Sequence, residues 1–303
     1  MNKIYILSFI FIVLQSCGNK TETVLGNPKT HQENSVSKSN HSNNINLSLL
    51  LDLSDRIDPL KYPNPTMEFY IRDIGYIKSA AEAFDSHLRN KKVVQTNDKI
   101  QLFFDPEPQN NEINTLSSQL KYSINKSNTS KELMDEIKTS YNTNPSKIYD
   151  LTIKDKNYPG SETWSFFKNR VQDYCIDDSY RNILILLTDG YLYHKNSKRK
   201  EGNQTTYITP ELIRENGLNT ANWKEKMTDK KFGFIPANED LSQLEILVIG
   251  INPDKKNPYE EDVIKAYWKD WFTKMNVKRF EIKNADLPSN MDKIIKNFIE
   301  NKK

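Results

Sequence analysis

Cysteine is nearly absent: Cys17 and Cys175 are the only two in 303 residues. Cys17 falls in a lipid-anchor motif, taken up below, which leaves Cys175 alone and gives no expectation of an intrachain disulfide. The few cysteines and four histidines show no spacing of the zinc type. No Gly-rich loop of the P-loop or dinucleotide type occurs. Every apolar run is much shorter than the about 20 residues that a membrane-spanning helix requires. Charge of one sign is not in excess either: 43 Lys and Arg stand against 40 Asp and Glu, and the resulting +3 is too weak a bias to argue for nucleic acid. No internal repeat is visible.

The first residues read as an address. Met1-Asn2-Lys3 is a short positive start, Ile4 to Leu14 is an apolar core, and Leu14-Gln15-Ser16-Cys17 follows. The last four resemble a bacterial lipobox, with small Ser16 before the cysteine. That resemblance implies a signal peptide over 1–16, lipidation of Cys17, and a membrane-anchored lipoprotein of the bacterial cell envelope, at the outer membrane. The alternative is an ordinary signal peptide in which Cys17 is incidental. Buried acyl chains contribute about 0.8 kcal/mol per methylene, so several together anchor stably. Residues 18–44 are rich in Asn, Ser, Thr and Lys, with almost no bulky apolar residue. They cannot bury enough surface to offset ordering entropy, and with Cys17 they read as a flexible tether. The folded domain is expected over 45–303.

Within that domain two stretches share one shape. Ile45-Asn46-Leu47-Ser48-Leu49-Leu50-Leu51 is a strand pattern that stops at Asp52-Leu53-Ser54-Asp55-Arg56, and Ile183-Leu184-Ile185-Leu186-Leu187 stops at Thr188-Asp189-Gly190. Near-continuous apolar runs suit strands buried on both faces of a parallel sheet. If the two are parallel neighbours, about 4.8 Å apart, Asp52 and Asp189 leave the sheet at one edge. Two carboxylates so close repel unless something positive lies between them, and a divalent cation with oxygen ligands is the simplest candidate.

The rest of the chain alternates strands and helices. Thr66 reads as the cap of a helix carrying Ile71, Ile74, Ile77, Ala81 and Phe84 to about Leu88; Lys99 to Phe104 reads as a strand. Residues 113–124 and 130–141 read as helical, and Ser161 or Thr163 opens a helix bearing Trp164 to Tyr174. Residues 191–238 form a long irregular insert with one short helix around Pro210 to Glu215, a length that marks a functional loop or a mobile one. Leu244 to Ile251 is a strand, Glu260 to Met275 a helix with Tyr267, Trp268, Trp271 and Phe272 as its core face, Val277 to Ile282 a strand, and Pro288 to Glu300 a helix. The alternation predicts an α/β fold: a doubly wound, mostly parallel, Rossmann-like sheet with helices on both faces. Ligands in such sheets bind beyond the strand carboxyl ends where strand order reverses, which is where the two carboxylates fall.

These residues resemble a von Willebrand factor A domain, whose metal-ion-dependent adhesion site is Asp-x-Ser-x-Ser after the first strand, a threonine in a later loop, and an aspartate after a central strand. Asp52 and Ser54 fit the first two positions, Asp189 the last, and Thr163 in Gly160-Ser161-Glu162-Thr163 is the candidate loop threonine. The resemblance covers most of Ile45 to Glu300 and implies binding rather than catalysis. A cation, Mg2+ or Mn2+, would be held by Asp52, Ser54, Asp189 and Thr163 and accept a carboxylate from a protein partner. Arg56 stands where the second serine should be, and guanidinium offers no acceptor. Three arrangements satisfy the chemistry. Asp55 or water completes the shell while Arg56 faces solvent; Arg56 replaces the metal; or Arg56 binds a partner carboxylate beside it. The first is the leading expectation. Arg56 and Asp55 are the candidate partner contacts.

Blander readings stand beside this. Asp at a strand end often only turns the chain or caps a helix, a helix cap accounts equally for Thr163, and His194 reads as a surface histidine. A metal-dependent phosphoryl hydrolase using Asp52 as nucleophile is the enzymatic alternative, but such enzymes typically carry a second aspartate two residues on, where this chain has Ser54. A structural envelope subunit with an empty site is the third class.

Overall fold

The computed structural model describes residues 43–158 and 160–301. The signal peptide, the lipidation site Cys17 and nearly all of the tether lie outside the described residues. Among those described, no helix is long and apolar enough to cross a membrane.

Strand β1 (Ile45–Leu51) begins where the polar composition ends. Helix α1 (Phe69–Arg89) returns the chain to β2 (Asn97–Phe104), and α2 (Asn111–Ser118), the edge strand β3 (Tyr122–Asn125) and the long α3 (Lys131–Asp155) follow. Two short helices, α4 (Thr163–Asn169) and α5 (Val171–Cys175), lead to β4 (Arg181–Leu187). The insert carries β5 (Lys200–Glu201), β6 (Gln204–Thr205), α6 (Pro210–Glu215), α7 (Trp223–Lys230) and β7 (Gly233–Phe234). The chain closes with β8 (Leu244–Ile251), α8 (Glu260–Lys274), β9 (Arg279–Asn284) and α9 (Pro288–Glu300).

The main sheet runs β3-β2-β1-β4-β8-β9, all parallel except the edge strand β3. This is the expected doubly wound α/β architecture, and its order reverses between β1 and β4. Side-chain alternation divides the core into two layers, because successive residues of a strand face opposite ways. Leu47, Leu49, Leu51, Ile183, Ile185, Leu187, Leu247 and Ile249 pack with α1, α3 and α9. Leu50, Leu184, Leu186, Ile246 and Val248 pack on the other face with α4, α5 and α8. The aromatic face of α8 is core, as expected: Tyr267, Trp268, Trp271 and Phe272 are buried. Gly75 permits close contact between α1 and the start of α9, where a β-carbon would lie 2.5 Å from Pro288 Cγ.

Several expected boundaries move. Thr66 does not cap α1; Glu68 precedes its first residue and makes no side-chain cap. The stretch 113–124 is not one helix, because Tyr122–Asn125 extends to pair with β2, Ile124 opposite Asp98. Helix α3 passes Tyr141 and runs through Pro145, since Ile148, Tyr149 and Thr152 bury against the core and outweigh the local breaker signal. The single helix expected from Trp164 to Tyr174 breaks at Arg170. The insert is folded: a three-stranded sheet β5-β6-β7 and two helices, with the expected helix at Pro210–Glu215 and an unforeseen one at Trp223–Lys230.

Candidate metal centre

Pairing of β1 with β4 sets Leu51 opposite Leu187, so the next residues, Asp52 and Thr188, leave the sheet side by side. The Thr188 hydroxyl donates to Asp52 Oδ2 at 2.9 Å, and its oxygen accepts the Gly190 N–H at 3.2 Å. The other carboxylate oxygen, Asp52 Oδ1, accepts the Ser54 N–H at 2.9 Å. Asp189 follows Thr188 at once, its Oδ1 capped by the Tyr191 N–H at 3.0 Å. Gly190 makes the turn at φ +97°, with Ile251 and Ile264 each 2.7 Å from where a β-carbon would stand. Burial first, and the charge of Asp52 second, push the Asp189 carboxyl up to about 7, against the opposing pull of Arg56.

Arg56 does not face solvent. It is 6% exposed, and its position corrects the leading expectation. Its Nε donates to the Asp52 carbonyl at 3.2 Å, and its Nη2 donates to the Leu187 carbonyl at 3.0 Å and to Asp73 Oδ2 at 2.6 Å. Nε also stands 3.8 Å from Asp52 Oδ2. Burial would lower the Arg56 pKa, but Asp73 and then Asp52 hold it above its ordinary value, so the guanidinium stays charged. Asp73, on α1, is equally buried; burial raises its carboxyl, while Arg56 and the Tyr149 hydroxyl, which donates to Oδ2 at 2.9 Å, oppose that rise. With a guanidinium at 2.6 Å we read the pair as ionised. Arg56 is therefore part of the wall, committed inward, and is not a free side chain offered to a partner. Asp55 is half-buried and pairs with Lys61.

The loop before α4 reaches the same edge through an antiparallel bridge between Gly160 and Leu53. Thr163 is buried, and its hydroxyl lies 2.7 Å from that of Ser161. Beyond the sheet edge opens a cavity of about 870 Å³ whose walls include Ser54, Asp55, Arg56, Ser161 and Asp189. Asp52 and Thr163 are not among its lining residues. Among the described residues the Ser54 hydroxyl makes no hydrogen bond. The insert supplies one wall, with Tyr191, Tyr193, Thr209, Pro210 and Glu211. Tyr191 is fixed there by donating to Glu260 Oε1 at 2.6 Å and accepting the Asp254 N–H at 3.0 Å. His194 is half-buried and paired with Glu162 rather than loose on the surface.

The donor set is carboxylate and hydroxyl oxygen, the chemistry of Mg2+ or Mn2+. Charge supports the same fit: three acids, Asp52, Asp73 and Asp189, share the single cation Arg56, an excess of two negative charges when all are ionised. No three His, Cys, Asp or Glu side chains among the described residues are grouped to hold a metal. An ion here would therefore need hydroxyl and water oxygens beside the two carboxylates. Asp73 and Tyr149 are the residues that the sequence did not single out, and Ser161 stands out there only as a possible helix opener.

No protein-family model matches the chain, and no curated protein does. Similar solved structures include an aerotolerance-related membrane protein from Bacteroides fragilis, 9% identical, over 85% of this chain and 99% of that one, with a TM-score of 0.38. The pilus adhesin SpaC from Lactobacillus rhamnosus GG is 11% identical over 85% of this chain and 30% of its own, at 0.40. The conserved hypothetical protein BatB from Bacteroides thetaiotaomicron is 11% identical over 85% and 98%, at 0.38.

Proposed function

We propose that the folded domain binds Mg2+ or Mn2+ at the β1–β4 edge and through it a carboxylate of a protein partner, in adhesion or complex assembly at the bacterial cell envelope. The carrying observation is the side-by-side exit of Asp52 and Thr188, which brings Asp189, the residue after Thr188, to the same sheet edge as Asp52. Asp52 and Asp189 are the anionic core, Ser54 a direct ligand and Thr163, beside Ser161, a conditional one. A bound ion would supply an open position for an incoming oxygen. Asp55 and the tyrosines of the insert wall are the surface such a partner meets. The envelope address rests on the lipobox-like stretch ending at Cys17; Cys17→Ser should release the protein from membranes, and unchanged fractionation would count against the anchor.

Calorimetric titration of the domain from Asn43 onward with Mg2+ and Mn2+ tests the ion. Binding is expected, and loss of it in Asp52→Ala; no binding, or the same binding in the variant, sinks the reading. A second reading, a structural subunit that needs no ion, draws on Arg56 standing 3.8 Å from Asp52 Oδ2. It predicts partner capture unchanged by chelator. Phosphoryl transfer is disfavoured, because Ser54 stands two residues after Asp52, where such enzymes carry a second aspartate.

A further inference from the structure

The buried positive charge at this edge is held by a residue that belongs to neither strand end. Arg56 reaches under the β1–β4 junction, and its Nη2 turns to Asp73 Oδ2 at 2.6 Å, while Nε remains 3.8 Å from Asp52 Oδ2. Asp73 accepts the Tyr149 hydroxyl on the same oxygen at 2.9 Å. Helices α1 and α3 thus clamp the acid that clamps the arginine. All three side chains are buried. In such surroundings an unbalanced guanidinium seeks the nearest carboxylate, because removing one partner of a buried pair leaves a costly bare charge.

We propose that Asp73 is the counter-ion that keeps Arg56 from serving as the cation of the Asp52–Asp189 site, so that a residue outside the site sets its charge. This rests on the ion-binding reading above. With Asp73 present, Arg56 is balanced by Asp73, and the two acids Asp52 and Asp189 remain for one divalent ion, which binds them in their deprotonated form. Without Asp73, the guanidinium's charge falls on Asp52, the site keeps one net negative charge, and a divalent ion meets a cation already in place. Tyr149 is a positioning residue for Asp73. Asp73 itself touches no ion and acts only through Arg56.

The test is Mn2+ titration by calorimetry, with the Mn2+-induced rise in Tm as a second readout, on the wild-type domain, Asp73→Asn and the double variant Arg56→Gln/Asp73→Asn. An opposite charge within about 4–6 Å shifts a carboxylate's proton affinity by about 1–3 pKa units. Asp73→Asn should accordingly weaken Mn2+ binding by at least about tenfold and shrink the Tm rise. The double variant, with both charges gone, should bind within about threefold of wild type, since it restores the site's two negative charges. A merely structural role would leave the double variant no better than the single one. Wild-type binding with unchanged affinity in Asp73→Asn, or no recovery in the double variant, overturns this proposal alone. Absence of binding in the wild type overturns the ion-binding reading and this proposal with it. If Asp73→Asn does not fold, the double variant decides: wild-type affinity supports the proposal and lost affinity overturns it.

Discussion

Thr188 Oγ1 and Asp52 Oδ2 meet at 2.9 Å across the junction of β1 and β4. The hydroxyl also accepts the Gly190 N–H, so one side chain fixes both the first carboxylate and the turn that carries the second. Thr188→Val keeps the shape and removes both bonds. Asp52 would lose a donor while remaining buried, a loss of about 1–3 kcal/mol. Urea unfolding should show that loss, and Mn2+ affinity should fall with it. An unchanged midpoint would mean that water replaces the hydroxyl without cost.

Gly190→Ala should be worse than an alanine at Gly202, although both glycines have positive φ. At Gly190 a β-carbon would stand 2.7 Å from Ile251 Cδ1 and from Ile264 Cγ2, whereas at Gly202 nothing lies within 4 Å. Backbone strain alone costs about 1–3 kcal/mol, and overpacking adds a similar amount at Gly190 only. The comparison of the two melting temperatures separates the terms.

The parts of this arrangement that could be read from sequence are those written in consecutive residues. Leu47 to Leu51 and Ile183 to Leu187 are apolar at every position or nearly so, because both sheet faces are covered, and each run ends at its acid. Glu260 to Lys274 and Pro288 to Glu300 carry an apolar periodicity that fixed their bounds to within a residue. The Arg56 orientation was not legible. Its partner Asp73 lies seventeen residues on, in an amphipathic helix where one more acid reads as solvent-facing, and Tyr149 lies 76 residues beyond that. The insert looks irregular in sequence because its strands are two residues long and gain their order from tertiary contact, such as Trp164 and Trp271 both donating to the Ile235 carbonyl. The sequence points to Thr163 whereas Ser161 lines the cavity, because which of two hydroxyls two positions apart faces it depends on which way the loop turns.

At the opposite end of the sheet, Asp98 predicts how stability responds to acid. Its Oδ1 accepts the Ile45 N–H at 2.7 Å and faces His87 Nε2 at 2.9 Å, and its Oδ2 pairs with Lys91 at 2.7 Å. Burial would raise this carboxyl, but His87, Lys91 and the Ile45 amide outweigh burial and hold it below the ordinary value. A depressed folded value means that the stabilisation is fully present above the ordinary aspartate range and is lost as pH falls through the folded value. Asp98→Asn should cost about 3–5 kcal/mol at neutral pH, as when one partner of a buried pair is removed. The gap to wild type should narrow as pH falls below the ordinary aspartate range, where the native carboxylate begins to protonate. An equal gap at neutral and at acid pH in denaturant melts would contradict the ionic account.

Tyr191→Phe isolates the anchoring of the insert wall. The phenol donates to Glu260 Oε1 at 2.6 Å and accepts the Asp254 N–H at 3.0 Å, while its own N–H caps Asp189. Glu260 is fully buried and otherwise accepts only from Asn257 Nδ2, at 2.9 Å, among the described residues. Loss of the hydroxyl leaves that carboxylate short of a donor and should cost about 1–3 kcal/mol in urea unfolding. The backbone cap on Asp189 survives the substitution, so Mn2+ affinity should change by less than about threefold, equivalent to less than about 1 kcal/mol. Partner capture should weaken, because the wall formed by Tyr191 and Asp254 loosens. If Mn2+ affinity fell as far as in Asp52→Ala, the insert would have to be counted as part of the ion site and not as its neighbour.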